Sequence, residues 1–200
     1  MNLNLKKWFY LFWTTLAVGA GASVITNLIV QIIDPHLEWN DIYVFLLGIL
    51  MGLTYSVLSQ MGFFSYLTVN YIAQGMMSKL TWRVVQWIFV IVVFVDLIAL
   101  RHYFFGDESE GLGYYTILPV IMAVVAVLTA IMKVKMTNPT AFTPTVFFIF
   151  VVTVLEGIPA IRENNLDSTL NMMVPITACN VWQILILHKV LKKQTAAPNQ

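Results

Sequence analysis

The stretch WRVVQWIFVIVVFVDLIALRHYF, residues Trp82–Phe104, decides the fold because it is apolar along nearly its whole length. A helix of about 20 such residues crosses the hydrocarbon core of a bilayer. The run does not alternate apolar with polar residues, so it indicates a helix rather than a barrel strand. Further runs of this kind occupy residues 8–33, 42–62, 114–132, 141–161 and 172–191. The sequence therefore predicts an all-α integral membrane protein with six transmembrane helices.

The composition agrees with this interpretation. Of the 200 residues, 59% are hydrophobic and only 10% are charged, whereas soluble domains carry about 25% charged residues. The six runs and their short connections use nearly the whole chain, so we predict one transmembrane domain over residues 1–200 and a disordered tail at 194–200. The lipid bilayer is then the main environment. No basic run is long enough to indicate nucleic-acid binding.

Connections that carry only basic residues alternate along the chain with connections that are mainly acidic. Four segments contain no Asp or Glu: those before the first run, between the second and third, between the fourth and fifth, and after the sixth. Their cations are Lys6, Lys7, Lys79, Arg83, Lys133, Lys135, Lys189, Lys192 and Lys193. The other three connections are acidic, with Arg101 and Arg162 as their cations. Because Lys and Arg near helix ends stay in the cytoplasm during insertion, we predict that both termini are cytoplasmic.

The segment Leu58–Lys79, LSQMGFFSYLTVNYIAQGMMSK, stays apolar for too long to be an ordinary loop, yet it contains several Gly, Asn and Gln residues. We predict that the second helix ends near Gly62 and that an interfacial helix follows on the cytoplasmic face; a re-entrant segment is the competing interpretation. This surface could contact a partner protein or only anchor the chain. The candidate contact residues are Gln60, Gly62, Phe63, Phe64, Tyr66 and Asn70.

Small residues recur at four-residue spacing in the first two runs. Gly19 and Ser23 belong to the first series, and Gly48 and Gly52 form a G-x-x-x-G pair in the second. Such residues let helix backbones approach closely in lipid. We therefore predict that the first two helices pack as an antiparallel hairpin. The alternative is that these positions line a permeation path.

Two carboxylates, Asp96 and Glu156, lie inside predicted spans, where an acid is by default a functional hypothesis. Both fall in the outer third of their helices, and each is followed by an arginine, Arg101 or Arg162 respectively. One interpretation is a structural role that fixes helix order, either as a pair of outer-leaflet ion pairs or as acids that snorkel to the membrane surface. The other is a proton- or ligand-linked site, which would make the protein a small transporter or channel subunit.

Signatures of catalysis are missing from the sequence. The three histidines form no H-E-x-x-H pattern, and no phosphate-binding glycine loop or G-x-S-x-G occurs. The lone Cys179 lies within the last run and cannot form an intrachain disulfide. We predict no enzyme activity, no catalytic residues, no metal site and no cofactor.

The motif LSQMGFFSYLTVN at Leu58–Asn70 resembles the KinB-signalling pathway activation family, KbaA, whose members share this length, six-span layout and basic tail. These are small multi-pass plasma-membrane proteins of endospore-forming bacilli. The resemblance implies a regulator that acts upstream of a membrane sensor histidine kinase and promotes the phosphorelay that starts sporulation. It implies a membrane histidine kinase as partner, and it carries no catalytic residues with it.

Overall fold

The computed structural model describes residues 5–33, 41–106 and 112–191, and within these ranges six helices are long and apolar enough to cross a membrane. The prediction of an all-helical chain with six potential spans is confirmed. The fifth span is interrupted by a π-helical turn. In chain order the elements are α1 (Leu5–Ile33), α2 (Asp41–Met76), α3 (Lys79–Phe105), α4 (Leu112–Met136), a short 3-10 helix (Pro139–Ala141), α5 (Phe142–Phe147), the π-helical turn (Phe148–Val152), α6 (Thr153–Arg162) and α7 (Leu166–Leu191).

Some predictions fall outside the described residues. These are the connection between the first two helices, the tail cations Lys192 and Lys193, and the tail at 194–200. The acidic residues of the connection between the third and fourth runs, Asp107, Glu108 and Glu110, also lie outside the described residues. The cytoplasmic placement of the termini stays a prediction.

The fifth span lies at the centre of the bundle and is the most buried of the six. It packs against α2, α3, α4 and α7, while α1 packs along α2 and α7 on one side. Its aromatic side chains form the heart of the core: Phe148 is fully buried, with its ring centroid 5.6 Å from that of Phe63 and 4.9 Å from that of Tyr66. This central position brings the second half of the fifth span between α2 and α7.

Glycine allows the backbones of α1 and α2 to approach closely. A Cβ added to Gly52 would lie 2.6 Å from the Cα of Ala20, and it would also overlap the carbonyl oxygen of Gly19. One turn away, a Cβ on Gly48 would lie 3.2 Å from the Cα of Val24. Ser23 is buried on the same side of α1. The small residues singled out in the sequence therefore lie between the two helices, where side chains would force them apart.

The prediction that the second helix ends near Gly62 is wrong, because α2 continues without interruption to Met76. A glycine inside a helix costs only about 1 kcal/mol, whereas ending a helix in apolar surroundings leaves backbone groups without hydrogen bonds. Phe63 and Tyr66 also bury their side chains by continuing the helix. The described residues 63–76 therefore form neither a separate interfacial helix nor a re-entrant segment. At about 1.5 Å per residue, the 36 residues of α2 exceed the thickness of a bilayer core.

The π-helical turn Phe148–Val152 separates α5 from α6. A single π turn adds one residue to the helix, which rotates everything after it by about 100° relative to an uninterrupted helix. Such turns occur frequently at functional sites. Here the residues directly after the turn include Thr153 and Glu156, and both side chains reach α7.

Candidate functional site

A network of polar side chains lies inside the bundle, centred on Asn180 of α7. The Oδ1 atom of Asn180 accepts a hydrogen bond of 2.8 Å from the Ser59 hydroxyl on α2. Its Nδ2 atom donates to Thr153 Oγ1 at 2.9 Å and to Glu156 Oε2 at 2.7 Å, both on α6. One fully buried side chain thus joins three helices. In an apolar interior, groups of this kind hold helices in one arrangement.

Gln183 extends the network. The Nε2 atom of Gln183, one turn after Asn180, donates to Ser59 Oγ at 2.8 Å, and Gln60, the residue after Ser59 in the sequence, is also buried. Within the described residues three polar atoms here have no hydrogen-bond partner: Glu156 Oε1, Gln183 Oε1 and Gln60 Nε2. Buried polar atoms without partners are destabilising by about 1–3 kcal/mol each. The network is therefore only partly satisfied in this arrangement.

Gly62 makes room for the carboxylate of Glu156. A Cβ added to Gly62 would overlap Glu156 Oε1 and would lie 2.8 Å from the carboxyl carbon. The absence of a side chain at Gly62 is what allows the acid to pack directly against the α2 backbone. Gly62 therefore has a specific role in the site, and it does not end the helix.

A second polar layer connects the network to α1. Ser56 Oγ donates to the carbonyl oxygens of Gly52, at 2.7 Å, and Thr15, at 3.2 Å, in alternative directions of one hydroxyl. It also lies 3.5 Å from Cys179 Sγ, the residue before Asn180. Thr15, Ser56 and Cys179 are all fully buried. Helices α1, α2, α6 and α7 are thus joined by one group of buried polar side chains.

The comparisons with known proteins identify the family. Residues 19–190 match the family described as "KinB-signalling pathway activation in sporulation". The chain belongs to this family. It is 34% identical over 198 residues, covering 91% of this chain and 96% of the relative, to the "KinB-signaling pathway activation protein" of Bacillus subtilis (strain 168). No solved structure matches this family member.

The residues predicted to contact a partner divide into two groups. Gln60, Phe63 and Tyr66 are buried inside the bundle, and Gly62 faces Glu156. Asn70 is half-buried and accepts a 2.8 Å hydrogen bond from Trp82 Nε1, which ties the end of α2 to the start of α3. Phe64 is 46% exposed. The segment Leu58–Asn70 therefore has an inner face in the network and an outer face that begins with Phe64.

The two acids that lie inside potential spans, Asp96 and Glu156, do not meet. Asp96 is exposed on α3 and lines a cavity of about 380 Å³ between α3 and α6, together with Arg101 and Arg162. Glu156 does not line that cavity and instead bonds to Asn180. A transporter or channel that used Asp96 and Glu156 together would need both carboxylates in one polar cavity, and their separation removes this support for the transport hypothesis.

In the part of the chain that the structure describes, the arginines that follow the two acids form no ion pairs with them. Arg101 Nη2 donates to Asn164 Oδ1 at 2.9 Å, and its guanidinium lies 5.8 Å from the centroid of the Tyr115 ring. Arg162 is exposed at the end of α6. In the described part of the chain, no ion pair joins Asp96 to Arg101 or Glu156 to Arg162. The interpretation of these four residues as two structural ion pairs is therefore not supported by the geometry.

Sequence reasoning missed Ser59, Thr153, Asn180 and Gln183. A signal for two of them was available, because Asn180 and Gln183 are three residues apart in an apolar run and therefore share a helix face. Ser59 and Thr153 carried no comparable signal, since single hydroxyls are common in membrane helices and often bond to their own backbone. Across the described ranges, no group of three or more His, Cys, Asp or Glu side chains is arranged to hold a metal ion.

Proposed function

We propose that this family member activates a membrane sensor histidine kinase pathway that starts sporulation, and that it does so by protein contact in the plasma membrane. The observation that carries the proposal is the family match over residues 19–190 of a chain built almost wholly of six potential spans. The relative from Bacillus subtilis is named for activation of KinB signalling. A chain made almost wholly of potential spans can contact a partner mainly through its helix surfaces and its short connections. The proposal assigns it no reaction.

The outer face of α2 is the contact surface that we propose. Met61, Phe64, Ser65, Thr68 and Ile72 follow one another at helical spacing and are all exposed. The hydroxyls of Ser65 and Thr68 bond to the carbonyl oxygens of Met61 and Phe64, at 2.7 and 2.9 Å, so neither needs a partner elsewhere. Small residues between larger apolar ones let a second helix approach closely. The occupant we propose is a transmembrane helix of the kinase.

The polar network links this outer face to the interior. Gly62 and Ser59 lie on the inner side of the same helix, in contact with Glu156 and bonded to Asn180 respectively. A regulator can shift a kinase only by binding its active and inactive conformations with different affinity. The network fixes the position of α2 relative to α6 and α7, and therefore the shape of the surface offered to the kinase.

Gene replacement tests the proposed function. A strain that lacks its own family member and relies on that kinase alone should sporulate at least about fivefold less, the scale of an ordinary coupling free energy. Expression of this chain should restore the spore count. A strain that starts the phosphorelay through a different kinase serves as the control and should not respond. Normal sporulation of the deletion strain would refute the proposal.

A further inference from the structure

A cavity of about 330 Å³, with both polar and apolar side chains in its wall, lies at the end of the bundle where the predicted cytoplasmic connections meet. It is bounded by the last turns of α2, the start of α3, the end of α4, the start of α5 and the last third of α7. Asn70 and Trp82, which bond to each other, form part of its wall. It is separate from the network around Glu156, whose members Ser59, Glu156 and Asn180 do not line it.

The charged residues that line this cavity are all basic. Lys79, Arg83 and Lys133 line it, and its described lining contains no Asp or Glu. Lys133 is only 5% exposed. Its ammonium donates to the carbonyl oxygens of Ile184 at 2.5 Å and Leu185 at 3.4 Å, and an ammonium has three donors. Buried charges are ordinarily paired, and no carboxylate of the described residues forms an ion pair with this one. An anion in the cavity would supply the missing charge.

Gln86 is a second and independent sign of a ligand. Its side chain lines the cavity and is fully buried, and neither Nε2 nor Oε1 has a hydrogen-bond partner within the described residues. Buried amides are nearly always hydrogen-bonded. A polar ligand in the cavity would give this amide a partner and would replace the bonds that it lost on leaving water.

We propose that this cavity binds a phosphate ester of net negative charge, the group carried by anionic phospholipid headgroups and by soluble phosphate compounds. The guanidinium of Arg83 can donate hydrogen bonds to two phosphate oxygens at once, while the lysines add positive charge. Basic cavities between the cytoplasmic ends of transmembrane helices suit lipid headgroups. Leu67, Ile184 and Leu187 contribute apolar surface to the wall, and this surface fits the glycerol end of a lipid.

Lipid retention by the purified full-length protein tests this proposal. Native mass spectrometry in detergent at about 0.15 M salt would compare phosphatidylglycerol, which is anionic, with phosphatidylcholine, whose phosphate charge is balanced by its choline ammonium. Thermal shifts with inorganic phosphate would test the soluble source. We expect preferential retention of phosphatidylglycerol, about tenfold weaker in Arg83→Gln, because charge-assisted bonds to phosphate are the strong ones. Gln86→Leu should weaken retention without a change of charge. The matched control is Lys135→Gln, since Lys135 is an exposed cation of α4 that does not line the cavity.

One result of these experiments would assign the cavity a soluble ligand, and two results would overturn the proposal. Stabilisation by inorganic phosphate alone, lost in Arg83→Gln, would support the site and assign it a soluble phosphate. Equal retention of both lipids without a phosphate effect would overturn the proposal. It would also be overturned if Lys135→Gln weakened binding as much as Arg83→Gln, because the effect would then be general surface charge. Because the readout is binding by purified protein, failure here leaves the proposed role in sporulation unaffected.

Discussion

Gly62→Ala is expected to remove most of the pathway activation while leaving the protein in the membrane. The added methyl group would overlap Glu156 Oε1, which is the far end of a flexible side chain and can move away. Moving it breaks the 2.7 Å hydrogen bond to Asn180 Nδ2, with a cost of about 1–3 kcal/mol for a buried group that loses its partner. We expect spore counts at least about fivefold lower, on the scale of an allosteric coupling.

Gly75→Ala is the matched control for this experiment, because a Cβ at Gly75 meets no described atom within 4 Å although it lies on the same helix. Glu156→Ala should reproduce the defect of Gly62→Ala. The double variant should be no worse than either single one, since residues that act through one contact are not additive. Full activity of Gly62→Ala at a normal membrane level would contradict a role for the contact. Strictly additive defects would show that the two residues act independently.

Gly52→Val is expected to prevent stable assembly of the bundle. A Cβ at this position would press on the backbone of Gly19 and Ala20, and backbone atoms cannot rotate out of the way as a side chain can. The two helices must separate, which weakens their packing and displaces the Ser56 hydroxyl from the Thr15 carbonyl oxygen. Overpacking ordinarily costs about 1–3 kcal/mol, occasionally more, and destabilisation of about 1–2 kcal/mol lowers protein abundance several-fold.

Quantitative immunoblotting of membranes measures this effect. Gly21→Val on α1 is the control, because Gly21 is exposed and a Cβ there meets no described atom within 4 Å. We expect the Gly52 variant to fall several-fold in level while the Gly21 variant stays near normal. Equal levels of the two variants would mean that the close approach of α1 and α2 contributes little to stability.

The parts of the fold that sequence predicted are those governed by composition. Six apolar runs give six potential spans because a bilayer core demands long apolar helices. The small residues Gly19, Gly48 and Gly52 were found by spacing, and they lie where α1 meets α2. The course of α2 after Gly62 was not predictable from local preference, because burial of Phe63 and Tyr66 against the fifth span outweighs the cost of one glycine.

The candidate site was only partly visible in the sequence for a related reason. Glu156 stands out as an acid in an apolar run, but its partners depend on the rotation that the π-helical turn Phe148–Val152 gives to α6. No residue type marks that turn, which lies in a run of buried aromatic and branched side chains. The pairing of Glu156 with Asn180 and Gly62 therefore depends on tertiary packing. The position of Arg162 close to Glu156 in the sequence suggested an ion pair that the described residues do not form.

Site-specific crosslinking tests the central claim most directly, namely that the outer face of α2 contacts the kinase in the membrane. A photoreactive amino acid would replace Thr68, with Ile91 on α3 as the control, since both positions are exposed. Both variants should first be shown to restore sporulation. We predict a crosslink to the tagged kinase in intact cells from position 68 and none from position 91. Two active variants with no crosslink, or with equal crosslinks from both positions, would contradict the account.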